Sequence, residues 1–396
     1  MVTESRRVAS FGTTVFSEFS RLALKHGAVN LGQGFPDFDG PDVIKAAARA
    51  AIDGGINQYA VTTGAPALRQ AVATHVQRFY GRVIDPEGEV VVTSGATEAI
   101  FDTVMAFVDP GDEVVLFEPF YDSYLASVTM AGGIPRFVEL HAPDAAHGRW
   151  WLDEGELTAA FGPRTRLVIV NTPHNPTGKV FDRDELALIG RLAARAGAIV
   201  LSDEVYEHLV FPPARHLPMA SVGDLAGRTV TVSSAGKTFG FTGWKVGWAV
   251  APPELARSVQ KAHQWVTFAT AAPLQAAVAA ALALPDAYFE GFATEYAAKR
   301  DRLARALARA GLEPLPSDGS YFVMARTDAL RRRGEDDVAF CRRLTIEGKV
   351  AAIPPSVFYS PAHAPSAYSL ARFAFCKSEP VLAEAARRLA LLRPAS

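Results

Sequence analysis

Cysteine is almost absent from this chain, with only Cys341 and Cys376 among 396 residues. Their separation fits neither a metal-thiolate motif nor a disulfide framework, so a stapled secreted scaffold is excluded and a reducing compartment is expected. An excess of charge of one sign is also lacking. Forty lysines and arginines against 42 acids leave a formal net charge of −2, with both signs interspersed. That leaves no basic face for nucleic acid and no polybasic anchor for a membrane. No apolar run reaches membrane-spanning length. The basic opening, Met1-Val2-Thr3-Glu4-Ser5-Arg6-Arg7, is not followed by the apolar segment of a signal peptide. Low-complexity tracts and fixed-period repeats are missing as well. Cytoplasmic residence follows as the expectation, with small molecules or a second copy of the chain as partners.

What the chain does have is core-forming material: 49% of its residues are hydrophobic and 21% charged, enough for two or three domains. Short β-branched runs at 89–92, 113–117, 166–170, 198–201 and 229–232 alternate with alanine-rich helical patterns such as 96–108 and 183–196. This rhythm predicts an α/β fold with a mostly parallel central sheet sandwiched by helices. After a helical stretch at 275–284 the pattern changes to a charged helix at 288–310, a helix at 336–347, strands at 350–353 and 369–375 and a terminal helix from Glu379. That reads as a smaller α+β domain. The expected division is an arm over 1–41 that packs on the C-terminal unit or on a partner, a large domain over 42–284 and a small one over 285–396.

Ser233-Ser234-Ala235-Gly236-Lys237-Thr238-Phe239-Gly240-Phe241-Thr242-Gly243-Trp244-Lys245 is the most informative segment. It places one lysine just past the end of a predicted strand, on a loop rich in hydroxyls and backbone N–H groups, and follows it with a second. Gly236-Lys237-Thr238 resembles the tail of a P-loop, but that motif needs a glycine five residues before Gly236, where Thr231 stands. A nucleophilic amine that forms a Schiff base with an aldehyde cofactor is the other reading, with Ser234 and Lys245 on the cofactor's phosphate.

Ligands of open α/β sheets bind beyond the carboxyl ends of the strands, and there the polar residues collect. Thr93-Ser94-Gly95-Ala96-Thr97-Glu98 leads into a helix whose N-terminus suits phosphate. Tyr121, in Glu118-Pro119-Phe120-Tyr121-Asp122, offers a flat ring. Asn171-Thr172-Pro173-His174-Asn175-Pro176-Thr177-Gly178 carries two asparagines and a candidate cis peptide at Asn175-Pro176. Asp203 ends an apolar strand ahead of Tyr206. Gly32-Gln33-Gly34 fails as a dinucleotide fingerprint because Asp37 holds the third glycine's place. His174, His208 and His216 share no metal-binding spacing and read as satisfied turn or surface histidines, so no metal is expected. Trp265 is as good a candidate for a core aromatic as for a pocket wall.

Together these motifs resemble the fold-type-I pyridoxal-phosphate enzymes, and among them the class I aminotransferases. The resemblance runs through the whole chain. It is carried by Asn30-Leu31-Gly32-Gln33-Gly34-Phe35-Pro36-Asp37-Phe38, Asn57-Gln58-Tyr59, Glu118 to Asp122, Asn171 to Gly178, Asp203-Glu204-Val205-Tyr206, the two-lysine segment and Arg372-Phe373. The closest pattern is the branch of kynurenine/glutamine transaminases, bacterial methionine aminotransferases and succinyldiaminopimelate aminotransferases.

The resemblance implies pyridoxal 5'-phosphate bound covalently to Lys237. It implies Asp203 on the pyridine nitrogen, Tyr206 and Asn175 on the phenolic oxygen, Asn171 supporting the asparagine loop and Tyr121 stacked on the ring. Ser234, Lys245 and the backbone of Ala96 and Thr97 would hold the phosphate, joined by Tyr59 from the second subunit of a homodimer with shared sites. Arg372 would clasp the substrate carboxylate beside Gly34 and Asn175. Phe16 and Phe268 match substrate-pocket positions.

The chain has Thr97 where kynurenine-acting members often have an aromatic, and Ala269 rather than histidine after Phe268. The opening Gly12-Thr13-Thr14-Val15-Phe16 and Gly34 to Pro41 look more like the methionine-acting branch. With no motif for a second substrate-binding arginine, the expected donors are neutral and large: methionine, aromatic amino acids, glutamine or kynurenine. The open alternatives are N-succinyldiaminopimelate transamination and cysteine-conjugate carbon–sulfur β-lyase chemistry. A cofactor-sensing transcription regulator would need a DNA-binding domain ahead of this fold, and only about 40 residues are available for one.

Overall fold

The computed structural model describes residues 4–12 and 14–392. The first three residues of the basic opening, Thr13 of the Gly12-to-Phe16 motif and the last four residues lie outside the described residues. Valine- and isoleucine-rich runs can pack on both faces of a pleated strand, and here they form an eight-stranded sheet. Its spatial order is Val90–Thr93, Gly247–Val250, Thr229–Ser234, Ile199–Asp203, Thr165–Asn171, Glu113–Glu118, Ile134–His141 and Trp151–Leu152. The five strands from Thr229–Ser234 to Ile134–His141 in that order are mutually parallel. Gly247–Val250 runs antiparallel to both its neighbours, and Trp151–Leu152 is an antiparallel edge.

Helices cover both faces. Ala96–Phe107 and Pro253–Val266 bury Ile100, Val104 and Val259 against one, and Arg183–Ala196 buries Leu186, Ile189 and Leu192 against the other. Asp182 starts Arg183–Ala196 with a full capping box, and Gly197 ends it at φ 69°. The α/β class with a mostly parallel, helix-covered sheet is as expected.

Three strands of the sheet were not anticipated, one of them the two-residue edge Trp151–Leu152. Ile134–His141 carries Pro135 and Arg136, poor strand formers in isolation. Gly247–Val250 is hidden behind the lysine motif. The first expected strand starts one residue later than its pattern, at Val90. Lys237 is not on an open loop: it lies in the short helix Ala235–Thr238.

The C-terminal part builds a three-stranded antiparallel sheet from Glu313–Pro314, Phe322–Arg326 and Leu370–Ala374, flanked by helices Asp286–Arg309, Asp337–Ile346 and Glu379–Leu389. The expected strand at 350–353 is shorter, Val350–Ala351, with Ile353 only bridging to Arg372. The N-terminal arm joins this part. Helix Val15–His26 packs on Asp337–Ile346, Val29–Asn30 pairs in parallel with Val350–Ala351, and Phe19 and Leu31 enter the core that holds Phe340 and Phe373. Among the described residues no helix is long and apolar enough to cross a membrane.

Candidate active site

Side chains from five strand ends converge on one cavity. At one end, Gly95 at φ 80° turns the chain into Ala96–Phe107, a 12-residue helix whose first N–H groups have no partner within the helix. Its tip rests on the neighbouring strand: a Cβ on Gly247 would lie 2.6 Å from the Ala96 nitrogen, so only glycine permits this approach. Lys245, itself left-handed at φ 53°, donates from Nζ to Thr97 Oγ1 at 3.3 Å, and Ser234 closes the adjacent strand. The result is a cationic, N–H-rich corner suited to a phosphate.

At the other end stands Asp203, the last residue of its strand. It is 4% exposed, and burial pushes its carboxyl up to about 6, although Tyr124 Oη donates to its Oδ2 at 2.5 Å and the Val205 N–H donates to its Oδ1 at 3.3 Å. Asn171 Nδ2 donates to the Asp203 carbonyl at 2.9 Å while its Oδ1 receives the Asn175 N–H at 2.7 Å, linking two strand ends. The Asn175–Pro176 peptide is cis.

Between these ends lies Lys237. Burial lowers its amine to about 8, and Nζ donates to Tyr321 Oη at 2.8 Å. Tyr321 in turn donates to the Gly34 carbonyl and stands edge-on to Tyr206, with ring centroids 5.0 Å apart. Burial raises the Tyr206 hydroxyl well above its ordinary value, so it stays a neutral donor.

Arg372 is 1% exposed and donates from Nη1 to Asn175 Oδ1 at 3.1 Å and from Nη2 to the Gly32 carbonyl at 2.8 Å. Its Nε has no partner. The rings of Phe322, Phe358 and Phe16 surround the guanidinium at 4.2, 5.0 and 5.2 Å, and burial lowers its pKa to about 10.

Ala96, Thr97, Tyr121, Asn171, Asn175, Asp203, Tyr206, Ser234, Lys237 and Lys245 thus line a single cavity. Arg372 adjoins it through Asn175, Gly34 adjoins it through Tyr321, and Phe16 lies against Arg372. Tyr59 and Phe268 are elsewhere. They are 84% and 49% exposed and contact each other edge-on at 5.3 Å. Trp265, also 84% exposed, is no core aromatic of this chain. The three expected turn or surface histidines are buried or partly buried and bonded, His174 to Thr177, His208 to His75 and His216 to Glu204.

Sequence reasoning missed two residues. Tyr124 sits one helical turn after Tyr121, a spacing that places both on one face. Tyr321 sits in a strand-like aromatic run that reads as core, and nothing in the pattern marks its hydroxyl.

Beneath the phosphate-like corner, Glu98 accepts from the Ser94 N–H, from Thr267 Oγ1 at 2.6 Å and from His263 Nδ1 at 2.9 Å. Asp102, wholly buried one turn along, has no hydrogen bond on either oxygen, with His263 Nδ1 3.8 Å from Oδ2, and burial followed by the Glu98 charge raises its pKa to about 8. The folded protein therefore keeps this proton where the unfolded chain has lost it, and stability falls as pH rises towards 8. Asp102→Asn should reduce the loss of denaturant midpoint between pH 6.5 and 8. A loss as large as that of the unsubstituted protein would show that Asp102 does not titrate there.

The chain matches the family profile "Aminotransferase class I and II" over residues 26–389. It is 48% identical to the "Probable N-succinyldiaminopimelate aminotransferase DapC" of Mycobacterium tuberculosis (strain ATCC 25618 / H37Rv), covering 98% of this chain and 99% of that protein. It is 42% identical to the methionine aminotransferase of Escherichia coli (strain K12), covering 97% of each. Its structure superposes on that of N-succinyldiaminopimelate aminotransferase from Mycobacterium tuberculosis with a TM-score of 0.93, covering 99% of this chain and all of that one. A parallel-sheet fold with a lysine, a carboxylate and an anion corner in one cavity defines a class of enzyme, and the chain belongs to the class I and II aminotransferases. It is an aminotransferase, of a family that works with pyridoxal phosphate.

Proposed function

We propose that this enzyme holds pyridoxal 5'-phosphate on Lys237 and moves the amino group of a neutral, large-side-chain amino acid to a 2-oxo acid by a ping-pong mechanism. The observation that carries the cofactor reading is the order of groups along one cavity: anion corner, buried amine, buried carboxylate. Those donors match a phosphate, an aldehyde carbon and a pyridinium nitrogen in turn. Bound there, the cofactor supplies an electron sink for the electrons released at the substrate's α-carbon.

The chain's own groups do the rest. The helix tip, Ser234 and Lys245 hold the phosphate. Asp203, poised near 6 by burial, is ionised by a cationic partner and keeps a proton on it. Tyr206 and Asn175 supply hydrogen bonds at the ring's oxygen, Asn171 holds the loop that carries Asn175, and Tyr121 covers a face of the ring. Lys237, with an amine near 8, can carry a proton between neighbouring carbons at neutral pH, and Tyr321 Oη, 2.8 Å away, is placed to hold that amine when it is free. Arg372, rigid among three rings and with Nε unpaired, offers its fork to the substrate carboxylate.

The donor's side chain would meet Phe16, Phe322 and Phe358. Of the basic residues near these segments, Arg342 is paired with Glu18, while Lys377 is held by the Phe35 carbonyl and keeps its charge. Asp122, whose carboxyl feels the Arg372 charge, adds negative character. Neutral side chains fit this wall best. A second reading, N-succinyldiaminopimelate as donor, is favoured by the 48% identity to the mycobacterial relative. Carbon–sulfur β-lyase turnover would share the proton removal at Lys237 and is read by released thiol. Rates over a panel of amino donors and oxo acids test the proposal.

The active unit is proposed to be a cytoplasmic homodimer. Tyr59, Trp265, Phe268, Val61 and Ile56 are all exposed, and Tyr59 and Phe268 touch, the kind of apolar surface that a second copy covers. Tyr59→Phe should weaken cofactor retention, and mixed dimers with Lys237→Ala subunits should restore it at the lysine-bearing site. Retention no better than in Tyr59→Phe homodimers would rule out a shared site.

A further inference from the structure

A cluster on the other side of Tyr206 takes no part in the chemistry above. His75 lies on helix Pro66–Tyr80, while Glu207 and His208 follow the strand Ile199–Asp203. The fold brings them together although no spacing in the sequence links them. His75 Nε2 is 3.0 Å from His208 Nε2 and 3.7 Å from Glu207 Oε2, and the three donor atoms all lie within 4.8 Å of one another. The side chains of His75 and Glu207 are 3% and 7% exposed.

We propose that His75, Glu207 and His208 form a divalent transition-metal site that ties helix Pro66–Tyr80 to the turn after Asp203 and Tyr206. Two imidazole nitrogens share a hydrogen bond, with a carboxylate oxygen beside them, so an ion that displaces the shared proton meets three donor atoms at one point. Bonds of about 2.0–2.2 Å to such an ion put tetrahedral donors about 3.3 Å apart, between the two separations seen here. A two-nitrogen, one-oxygen set selects zinc, cobalt or nickel over magnesium or calcium.

The surroundings suit a ligand set. Glu207 is oriented by Tyr80 Oη on Oε2 at 2.5 Å and Ser233 Oγ on Oε1 at 2.7 Å, the outer hydrogen bonds that fix a ligating carboxylate. His75 Nδ1 is buried with no partner, so the ring proton can sit there once an ion takes Nε2. Rings of Phe79 and Phe289 flank His208 at 4.7 and 4.5 Å. A small cavity borders two of the three proposed ligands, His75 and Glu207, together with Tyr80, Arg82 and Ser233.

The test uses the holoenzyme, stripped with a chelator and dialysed against Zn²⁺, Co²⁺ or Mg²⁺. The expected result is one Zn²⁺ or Co²⁺ per chain, visible bands of four-coordinate cobalt, a higher Tm with metal and no uptake of Mg²⁺. His75→Gln and His208→Gln should each abolish uptake, while His147→Gln at an exposed site should leave it intact. Failure of the unsubstituted enzyme to take up one ion per chain overturns the proposal, whatever the variants do. Uptake that survives both substitutions, or equal uptake of Mg²⁺, overturns it too. None of these readouts depends on transamination, so the outcome stands apart from the cofactor and substrate assignments.

Discussion

Borohydride added to the purified, yellow enzyme is expected to fix the cofactor on Lys237 and on no other residue, because reduction turns an imine linkage into a stable amine. Two lysines face the cavity, and their settings differ. Lys245 Nζ is bonded to Thr97 at the helix tip, where its charge serves an anion. Lys237 lies between that corner and Asp203, with burial lowering its amine to about 8, so near neutrality a useful fraction is unprotonated and nucleophilic. Lys237→Ala should still retain cofactor through the phosphate corner and Asp203 while turnover falls by about three orders of magnitude or more, the scale of a lost general acid–base group together with its covalent anchor. Exogenous amines should restore part of the rate. A label mapped to Lys245, or a Lys237→Ala variant with near-normal turnover, would overturn the assignment.

Much of this architecture was legible in the chain, and the reason is local. Parallel strands buried on both faces are written as continuous β-branched runs, and the loops at their carboxyl ends stand out as polar punctuation between them. The Asp203 and Asn171 motifs are read that way. Relations that depend on a third element are not. Tyr124 reaches Asp203 from a helix and Tyr321 reaches Lys237 from the C-terminal part, 84 residues away in sequence, so neither contact leaves a spacing to find. Gly247–Val250 was missed because four residues after a glycine-rich turn carry almost no periodic signal, although its antiparallel place in the sheet is what seats the helix tip through Gly247. Tyr59, expected to serve a second subunit's site, lies on the exterior of the chain, and Phe268, which matches a pocket position, lies there with it, since sequence pattern does not distinguish a wall of one subunit from a surface offered to another.

The donor panel carries the other large effect. With Arg372 committed to the α-carboxylate, an acidic side chain would have to sit among Phe16, Phe322 and Phe358 with Asp122 nearby. Leaving a charge there without a partner costs at least about 3 kcal/mol, roughly a hundredfold in kcat/KM. Methionine, phenylalanine, glutamine or kynurenine should therefore outpace aspartate by about that factor or more. N-succinyldiaminopimelate differs from aspartate in carrying its two further carboxylates, one on the second amino-acid carbon and one on the succinyl arm, many bonds from the reacting α-carbon, so they need not lie against these rings. Steady-state rates with methionine, phenylalanine, kynurenine, aspartate and N-succinyldiaminopimelate, each with 2-oxoglutarate, separate these cases. Aspartate as the fastest donor would sink the apolar-wall argument itself. N-succinyldiaminopimelate as the fastest would sink it too and replace the neutral-donor assignment with the second reading.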